Sequence, residues 1–301
     1  MNWEPLKFDW NKARAFLVTA EEGSFSAAAR ALGMSQPTLG RQVTGLEEEL
    51  GVVLIERVNQ RIEVTPTGLE LLRHLREMGK AASKFSLSAD GQKTELEGTV
   101  RISCTDTLAV HVLPNLMRQL NREEPKIVIE LLSSYEVTNI LLRECDIAIR
   151  HTLPLDDDLI ARKLPNQRVS LYYSKELQGK LEDPKCFHHI PFVGFMSNQQ
   201  QYMDELNRLG LEVSTRNFVS KASTHVEHWS LVKAGMGIGM MAEAIAEQDP
   251  DVVKYHKMAA PIDIPTWLVT HRELHSNQRI RRVYDYLIST LSNMFSIGEV
   301  R

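Results

Sequence analysis

Apolar residues between Phe8 and Gly23 fall at Phe8, Ala13, Phe16, Leu17 and Ala20, the spacing of one helical face, and the run closes at Glu22-Gly23. A second helix follows: Ser24 stands at its N-cap position, and the alanine-rich stretch Phe25–Leu32 lets a neighbouring helix come close. Gly33 then supplies the positive φ that a sharp interhelical turn requires. Ser35 caps a third helix and Pro37 falls in its first turn, where a missing N–H costs little. Leu39, Val43, Leu46 and Leu50 share one narrow face of that helix and form its core side. Weak alternation from Leu54 to Thr65 around a turn predicts a short hairpin.

After Pro66-Thr67-Gly68 the periodicity changes. Leu71, Leu75, Met78, Ala82, Phe85 and Ala89 step by 4, 3, 4, 3, 4, an a/d seam that predicts a short coiled coil and a pairing helix. The alternative is one helix lying on its own domain. Ser86–Glu97, rich in small and polar residues, is expected to be a hinge. From Gly98 onward strands and helices alternate. Strands are predicted at 100–104, 127–132, 146–150, 169–173, 192–195, 216–220 and 267–271, and helices at 108–122, 137–143, 200–209, 226–234 and 277–294. That order implies a parallel sheet covered by helices. The fold class is therefore α/β overall, with an all-α winged helix-turn-helix at the N-terminus. The expected domains are 8–66 for that unit, 67–97 for the linker helix and hinge, and 98–301 for the rest, with subdomain I at about 98–165 and 267–301 and subdomain II at about 166–266.

The third helix carries the first candidate chemistry. Pro37, Arg41 and Thr44 lie opposite the leucine face, Thr38 lies beside them, and Ser35 and Gln36 occupy the N-terminal tip. A recognition helix needs this arrangement, with its back anchored and its first turns free to meet base edges. Gln36 can bond an adenine edge, Thr38 a thymine methyl, and Arg41 a phosphate or guanine. Arg57, Asn59 and Arg61 around the hairpin turn suit phosphates or a narrow minor groove.

Bulk charge does not support that reading. The chain carries a net charge of −4, and residues 1–93 hold 12 Lys and Arg against 12 Asp and Glu. A DNA surface must come from where single charges point, with Glu47-Glu48-Glu49 tilted away from the duplex. The N-terminal stretch lacks the charged-then-apolar pattern of a secretory signal, and no run is long and apolar enough to span a bilayer, so a cytoplasmic, non-membrane protein is expected. Cys104, Cys145 and Cys186 lie too far apart for a zinc motif and suit a reducing compartment; Cys104 is the candidate redox thiol. No metal site, cofactor or catalytic constellation is expected: His188-His189 and the pair His225 and His228 have no cysteine or carboxylate partners at ligand spacing.

In open α/β sheets ligands bind beyond the carboxyl ends of strands. The first such end is Cys104-Thr105-Asp106-Thr107, just before a helix N-terminus that favours an anion. Ser133 and Ser134 close the next strand, and Arg150 and His151 end another and can pair with a carboxylate. Asp106 argues against an anion unless it turns outward. Gly235, Gly237 and Gly239 follow a helix and enter a strand, so packing rather than dinucleotide binding explains them.

The stretch GSFSAAARALGMSQPTLGRQVTGLEEELGVVLIERVNQRIEVTPTG, from Gly23 to Gly68, closely resembles the DNA-binding domain of LysR-type transcriptional regulators. Two departures are Gly40, where a serine is common, and Ile55, where a phenylalanine is usual. Asp146–Ile149, the turn Val232–Gly239 and Trp267–Val269 match landmarks of the same family's effector domain. The resemblance implies two α/β subdomains like those of periplasmic binding proteins, with a small-molecule co-inducer or co-repressor in the cleft and effector contacts from Thr105 and Thr107. It also implies a dimerising linker helix, a homodimer or homotetramer on an inverted-repeat DNA operator, and contact with RNA polymerase in an activator. The rival reading is a small-molecule-binding protein or enzyme that keeps an unused helix-turn-helix. The polar candidates of the cleft point to a small polar or carboxylate-bearing effector.

Overall fold

The computed structural model describes residues 8–58, 61–91, 96–134, 144–181, 189–257 and 260–296. The chain divides into two compact units, Met1–Ser86 and Leu87–Arg301. The first contains α1 (Trp10–Glu22), α2 (Phe25–Ala31), α3 (Gln36–Leu50) and the hairpin β1 (Ile55–Val58) with β2 (Arg61–Val64). The serine caps work as the sequence requires. Ser24 Oγ accepts the Ala27 N–H at 3.1 Å, and Ser35 Oγ accepts the Thr38 N–H at 3.3 Å. Gly33 between α2 and α3 has φ of 62°, which an L side chain rarely adopts. Phe16, Leu39, Leu46 and Leu54 are fully buried in one core, each contributing roughly 2 kcal/mol of transfer energy. Leu50, expected on the same face, is exposed in the last turn of α3, just before Gly51 redirects the chain.

Helix α4 (Pro66–Gly91) is longer than expected. It takes in Ser86–Gly91, read from sequence as hinge, because serine and alanine there do not break a helix and the first breaker is Gly91 itself.

The second unit is built on a seven-stranded sheet of order β10-β6-β11-β5-β3-β4, with β9 also paired to β6. These strands are β3 (Gly98–Cys104), β4 (Ile127–Ser133), β5 (Ile147–Arg150), β6 (Leu159–Ser174), β9 (Gly239–Ala242), β10 (Val252–Lys254) and β11 (Ile262–His271). A separate parallel pair joins β7 (Phe192–Phe195) to β8 (Phe218–Ala222). Helices α5 (Leu113–Glu123), α6 (Gln199–Arg208), α7 (His225–Lys233), α8 (Glu243–Ala246) and α9 (Gln278–Ser296) accompany them. A wide π-type turn over Leu108–Val112 leads into α5. The helix expected over 137–143 lies outside the described residues.

The sheet is mixed rather than parallel. β3 runs parallel to β4 and β5, whereas β11 lies antiparallel to β5 and β6, and β9 and β10 lie antiparallel to β6. The cause is that β6 and β11 cross between the two lobes in opposite directions. Both run unbroken through the lobe boundaries drawn from sequence at 165/166 and 266/267. The ladder slips where they cross: Leu164 pairs with Thr266 but Gln167 pairs with Ile264. Pro165 and Pro265 fall inside this slip, where a missing ladder donor is tolerated. The larger core cluster joins the lobes, taking Leu108 and Val112 from one and Trp229 and Val232 from the other.

Candidate functional site

In the first unit, Ser35, Gln36, Pro37, Arg41 and Thr44 are exposed along α3, and Thr38 is half-buried. Ser26 Oγ donates to Gln36 Oε1 at 3.1 Å, holding the glutamine at the helix tip. Ser35 Oγ and Thr38 Oγ1 lie 2.8 Å apart, so Ser35 acts mainly on its own helix. A concavity of about 510 Å³ runs beside this row, with Pro37, Arg41 and Thr44 on its wall and Gly40 leaving it open.

Two of the three residues of the acidic run are tied to partners, while Glu48 is exposed and shares the concavity wall with Arg41. Glu47 Oε1 accepts the N–H groups of Leu54 and Ile55 at 2.8 and 3.2 Å, fixing the entry to the hairpin. Glu49 accepts the Asp9 N–H and pairs with Lys12, whose ammonium draws that carboxyl below its usual range. Among the described residues Arg41 has no ion-pair partner. A charge-balanced unit therefore presents an unpaired cation on the exposed side of α3. In the hairpin Arg57 pairs with Ile62 and Arg61 with Val58 across the ladder; Asn59 lies outside the described residues.

Along α4 the expected seam divides in two. Leu75 is buried and Leu71 half-buried against the first unit's own core, which takes these two out of the expected pairing seam and into the packing of their own domain. Met78, Ala82 and Phe85 are exposed, Phe85 by 80 %. The heptad spacing could not separate the two halves because both uses of a helix demand the same period.

The second unit holds a partly open cavity of about 270 Å³ where β6 and β11 cross. Of the expected residues, Thr105, Thr107 and His151 line it. Their hydroxyls and ring enter from the ends of β3 and β5: Thr105 Oγ1 and Thr107 Oγ1 lie 3.2 Å apart, and His151 Nδ1 lies 3.2 Å from the Pro265 carbonyl oxygen. The remaining walls come from Gln167, Val169, Phe195, His225, Met240, Met241, Ala242, Ile262 and Ile264, none of them anticipated as ligand contacts.

Four expectations are corrected. Cys104 is fully buried in the core, and burial pushes its thiol up to about 12. A thiol so placed is out of reach of a ligand in this structure and is poorly suited to thiolate chemistry. Arg150 turns back into the sheet, donating to Ser103 Oγ at 2.7 Å and to the Ser103 and Ile149 carbonyls at 3.1 and 3.0 Å. Asp106 neither faces a ligand nor turns outward; it accepts the Thr107 N–H at 2.7 Å and, across the lobes, the Val226 N–H at 3.1 Å. Ser133 is exposed, and the Ser134 N–H bonds the Cys104 carbonyl at 3.0 Å; neither is among the described residues that line the cavity. The strand-end rule leads to the edge of the sheet where the cavity lies, and side-chain direction there is decided by local hydrogen bonds.

Behind the cavity wall His228 is fully buried. Its Nε2 accepts the Met240 N–H at 3.1 Å, and its ring stacks on Phe195 with centroids 4.4 Å apart. Protonating Nε2 would break that bond in an apolar site, and burial holds this imidazole down to about 4. The ring thus fixes both Met240 and Phe195. A Cβ at Gly239 would lie 2.4 Å from His228 Nε2 and one at Gly237 2.8 Å from the Pro191 carbonyl oxygen, so the glycine series makes room for this packing. Burial also lowers His151 and His225 below the ordinary imidazole value. Among the described residues no group of three His, Cys, Asp or Glu is placed to hold a metal ion, and no helix is long and apolar enough to cross a membrane.

Comparison with known proteins agrees with this division. Residues 10–69 match the bacterial regulatory helix-turn-helix protein, lysR family, and residues 93–292 match the LysR substrate binding domain. A probable hydrogen peroxide-inducible genes activator from Mycobacterium leprae is 37 % identical over 77 % of this chain and 77 % of its own. The HTH-type transcriptional regulator CrgA from Neisseria meningitidis is 26 % identical over 96 % of this chain and 99 % of its own. A full-length OxyR variant from Pseudomonas aeruginosa has the same fold, with a TM-score of 0.60 at 17 % identity, covering 96 % of this chain and 95 % of its own. The chain belongs to the LysR family of transcription regulators, with a helix-turn-helix DNA-binding domain followed by an effector-binding domain.

Proposed function

We propose that the outer side of α3, led by exposed Gln36 and Arg41 with half-buried Thr38 between them, reads the major groove of a double-stranded operator, and that Arg57, Asn59 and Arg61 contact its backbone or minor groove. The observation that carries this reading is the electrostatic sorting of α3: Glu47 and Glu49 are held by partners within the unit and Arg41 stays outward and unpaired among the described residues, with exposed Glu48 two turns further from the helix tip. A small-molecule co-inducer or co-repressor occupies the cavity between the lobes and changes their relation, which requires unequal affinity for the two arrangements. Chains pair through Met78, Ala82 and Phe85, whose exposure fits burial in a partner. Two such heads suit an inverted repeat, in a homodimer or homotetramer. An activator of this design also contacts RNA polymerase, and the site of action is the DNA-bearing cytoplasm.

The peroxide response in the Mycobacterium leprae protein's name is not carried over. Among the described residues Cys104 and Cys145 are both buried, with thiols pushed up to about 12, which does not suit thiolate chemistry; Cys186 lies outside the described residues. The test of the main reading is a gel shift of the full chain on its own upstream DNA across a salt series. Saturable, sequence-selective binding that weakens with salt is expected. Equal affinity for upstream and random DNA would overturn it.

A further inference from the structure

The walls of the interlobe cavity are mainly apolar, from Val169, Phe195, Met240, Ile262 and Ile264. An apolar cavity of about 150 Å³ can hold a single benzene ring, so about 270 Å³ accommodates one or two rings. The polar groups on this wall are Thr105, Thr107, His151, Gln167 and His225, and Gln167 already donates one amide N–H to Thr266 Oγ1 at 3.3 Å.

A backbone carbonyl can only accept, so the 3.2 Å contact to the Pro265 oxygen puts the proton of His151 on Nδ1. The atom His151 has left to offer a ligand is then Nε2, a lone pair. Burial keeps the ring neutral by lowering its proton affinity, and the neighbouring Arg150 acts in the same direction. The other titratable groups near it are His225, across the cavity, and Asp106, which acts on His225. His225 is likewise lowered by burial. The cation nearest the site, Arg150, is held by Ser103 and the Ile149 carbonyl. The N–H of Val226, in the first turn of α7 and therefore placed to attract an anion, is already bonded to the Asp106 carboxylate. A ligand carboxylate would thus find only the neutral donors of Thr105, Thr107 and Gln167, beside a lone pair and a nearby carboxylate and with no available cation, and would lose part of its hydration on entry.

Taking the cavity as the effector site, we propose that the effector is an uncharged, mainly apolar molecule of one or two rings that carries a hydroxyl or similar neutral donor, received by His151 Nε2. Thr105 and Thr107, whose mutual hydrogen bond leaves one hydroxyl donor and acceptor lone pairs, serve a second polar atom on the same ligand. This replaces the carboxylate-bearing effector that the strand-end residues suggested.

The matched probes naphthol and naphthoate share a ring system and differ in donor against carboxylate. Calorimetric titration of the full chain at neutral pH should give naphthol an affinity roughly tenfold or more above that of naphthoate, given the cost of burying an unpaired charge. His151→Phe should weaken naphthol by about fivefold, the loss of one hydrogen bond, and leave naphthoate unchanged. Acidification should weaken naphthol, because Nε2 gains a proton and ceases to accept, and strengthen naphthoate. Tighter binding of naphthoate at neutral pH, or naphthol binding indifferent to His151→Phe, overturns the proposed class. Ala242→Trp, with Ile264→Trp as a second variant if the first does not fold, fills the cavity and should abolish both titrations. Naphthol binding that survives filling overturns the cavity as effector site, a failure distinct from that of the class. Absence of any titration by either probe in the wild-type chain overturns the class.

Discussion

The exposed side of α3 and the cavity between the lobes use charge in opposite ways. On α3 the carboxylates of Glu47 and Glu49 are tied to backbone N–H groups and Lys12, and Arg41 is left facing solvent. At the cavity the arginine is the group tied inward, on Ser103, and the side chains facing the space are neutral. A helix built to meet a polyanion keeps its cation free; a cavity built for a selective small ligand keeps its cation away. The count of charges in either stretch predicts neither outcome. The partners of each charge do.

The largest expected effect separates the two units by pH. His228 has a folded-state value of about 4 against an ordinary 6.5, so the unfolded chain takes up its proton first as pH falls. The associated stability is complete above the ordinary value and is lost between there and about 4, on the order of 3 kcal/mol in full. Denaturant unfolding of the second unit should show this acid slope, and His228→Gln should flatten it. The first unit holds no comparably buried histidine among its described residues, since His74 is exposed. An unchanged slope in the variant would remove His228 from the account.

Arg150→Met is next in size. It removes one donor from the Ser103 hydroxyl and from two backbone carbonyls, and should lower the second unit's stability by about 2 kcal/mol while naphthol binding persists. Lost ligand affinity at undiminished stability would return the guanidinium to the ligand. The smallest effect lies on α3. Nothing lies within 4 Å of a Cβ built at Gly40, so Gly40→Ala should stabilise the first unit by up to about 1 kcal/mol through helix propensity, with operator binding retained. Loss of operator binding in a stabilised variant would mean that DNA approaches the backbone there.

The same two regions show what the sequence makes legible. α3 is a single local element, and one period, one cap and one proline suffice to place Gln36, Thr38 and Arg41 on its outer side. The cavity draws Thr105, His151, Gln167, Phe195, His225, Met240 and Ile264 from seven separate segments, and no local period links them. Its polar rim was half legible because strand ends are recognisable. Its apolar wall was not, because Val169, Met240 and Ile262 alternate along their strands like any core residue. Arg150 misled for a related reason: its position at a strand end is visible in the sequence, but the Ser103 hydroxyl that turns it inward lies 47 residues away. The seam on α4 was ambiguous in kind, since Leu75 and Phe85 obey one heptad while the first is buried in its own unit and the second is exposed.

The central claim is that an outward, unpaired cationic tip on α3 reads DNA in a unit with no net charge excess. Its most direct test is fluorescence anisotropy of the full chain carrying both Gln36→Ala and Arg41→Ala, titrated onto upstream and random duplexes at fixed salt. Each base contact is worth about 1–3 kcal/mol of discrimination. The double variant should therefore bind upstream DNA no better than random DNA, while its helical content and naphthol binding match the wild type. Retention of the wild-type preference for upstream DNA would contradict the account.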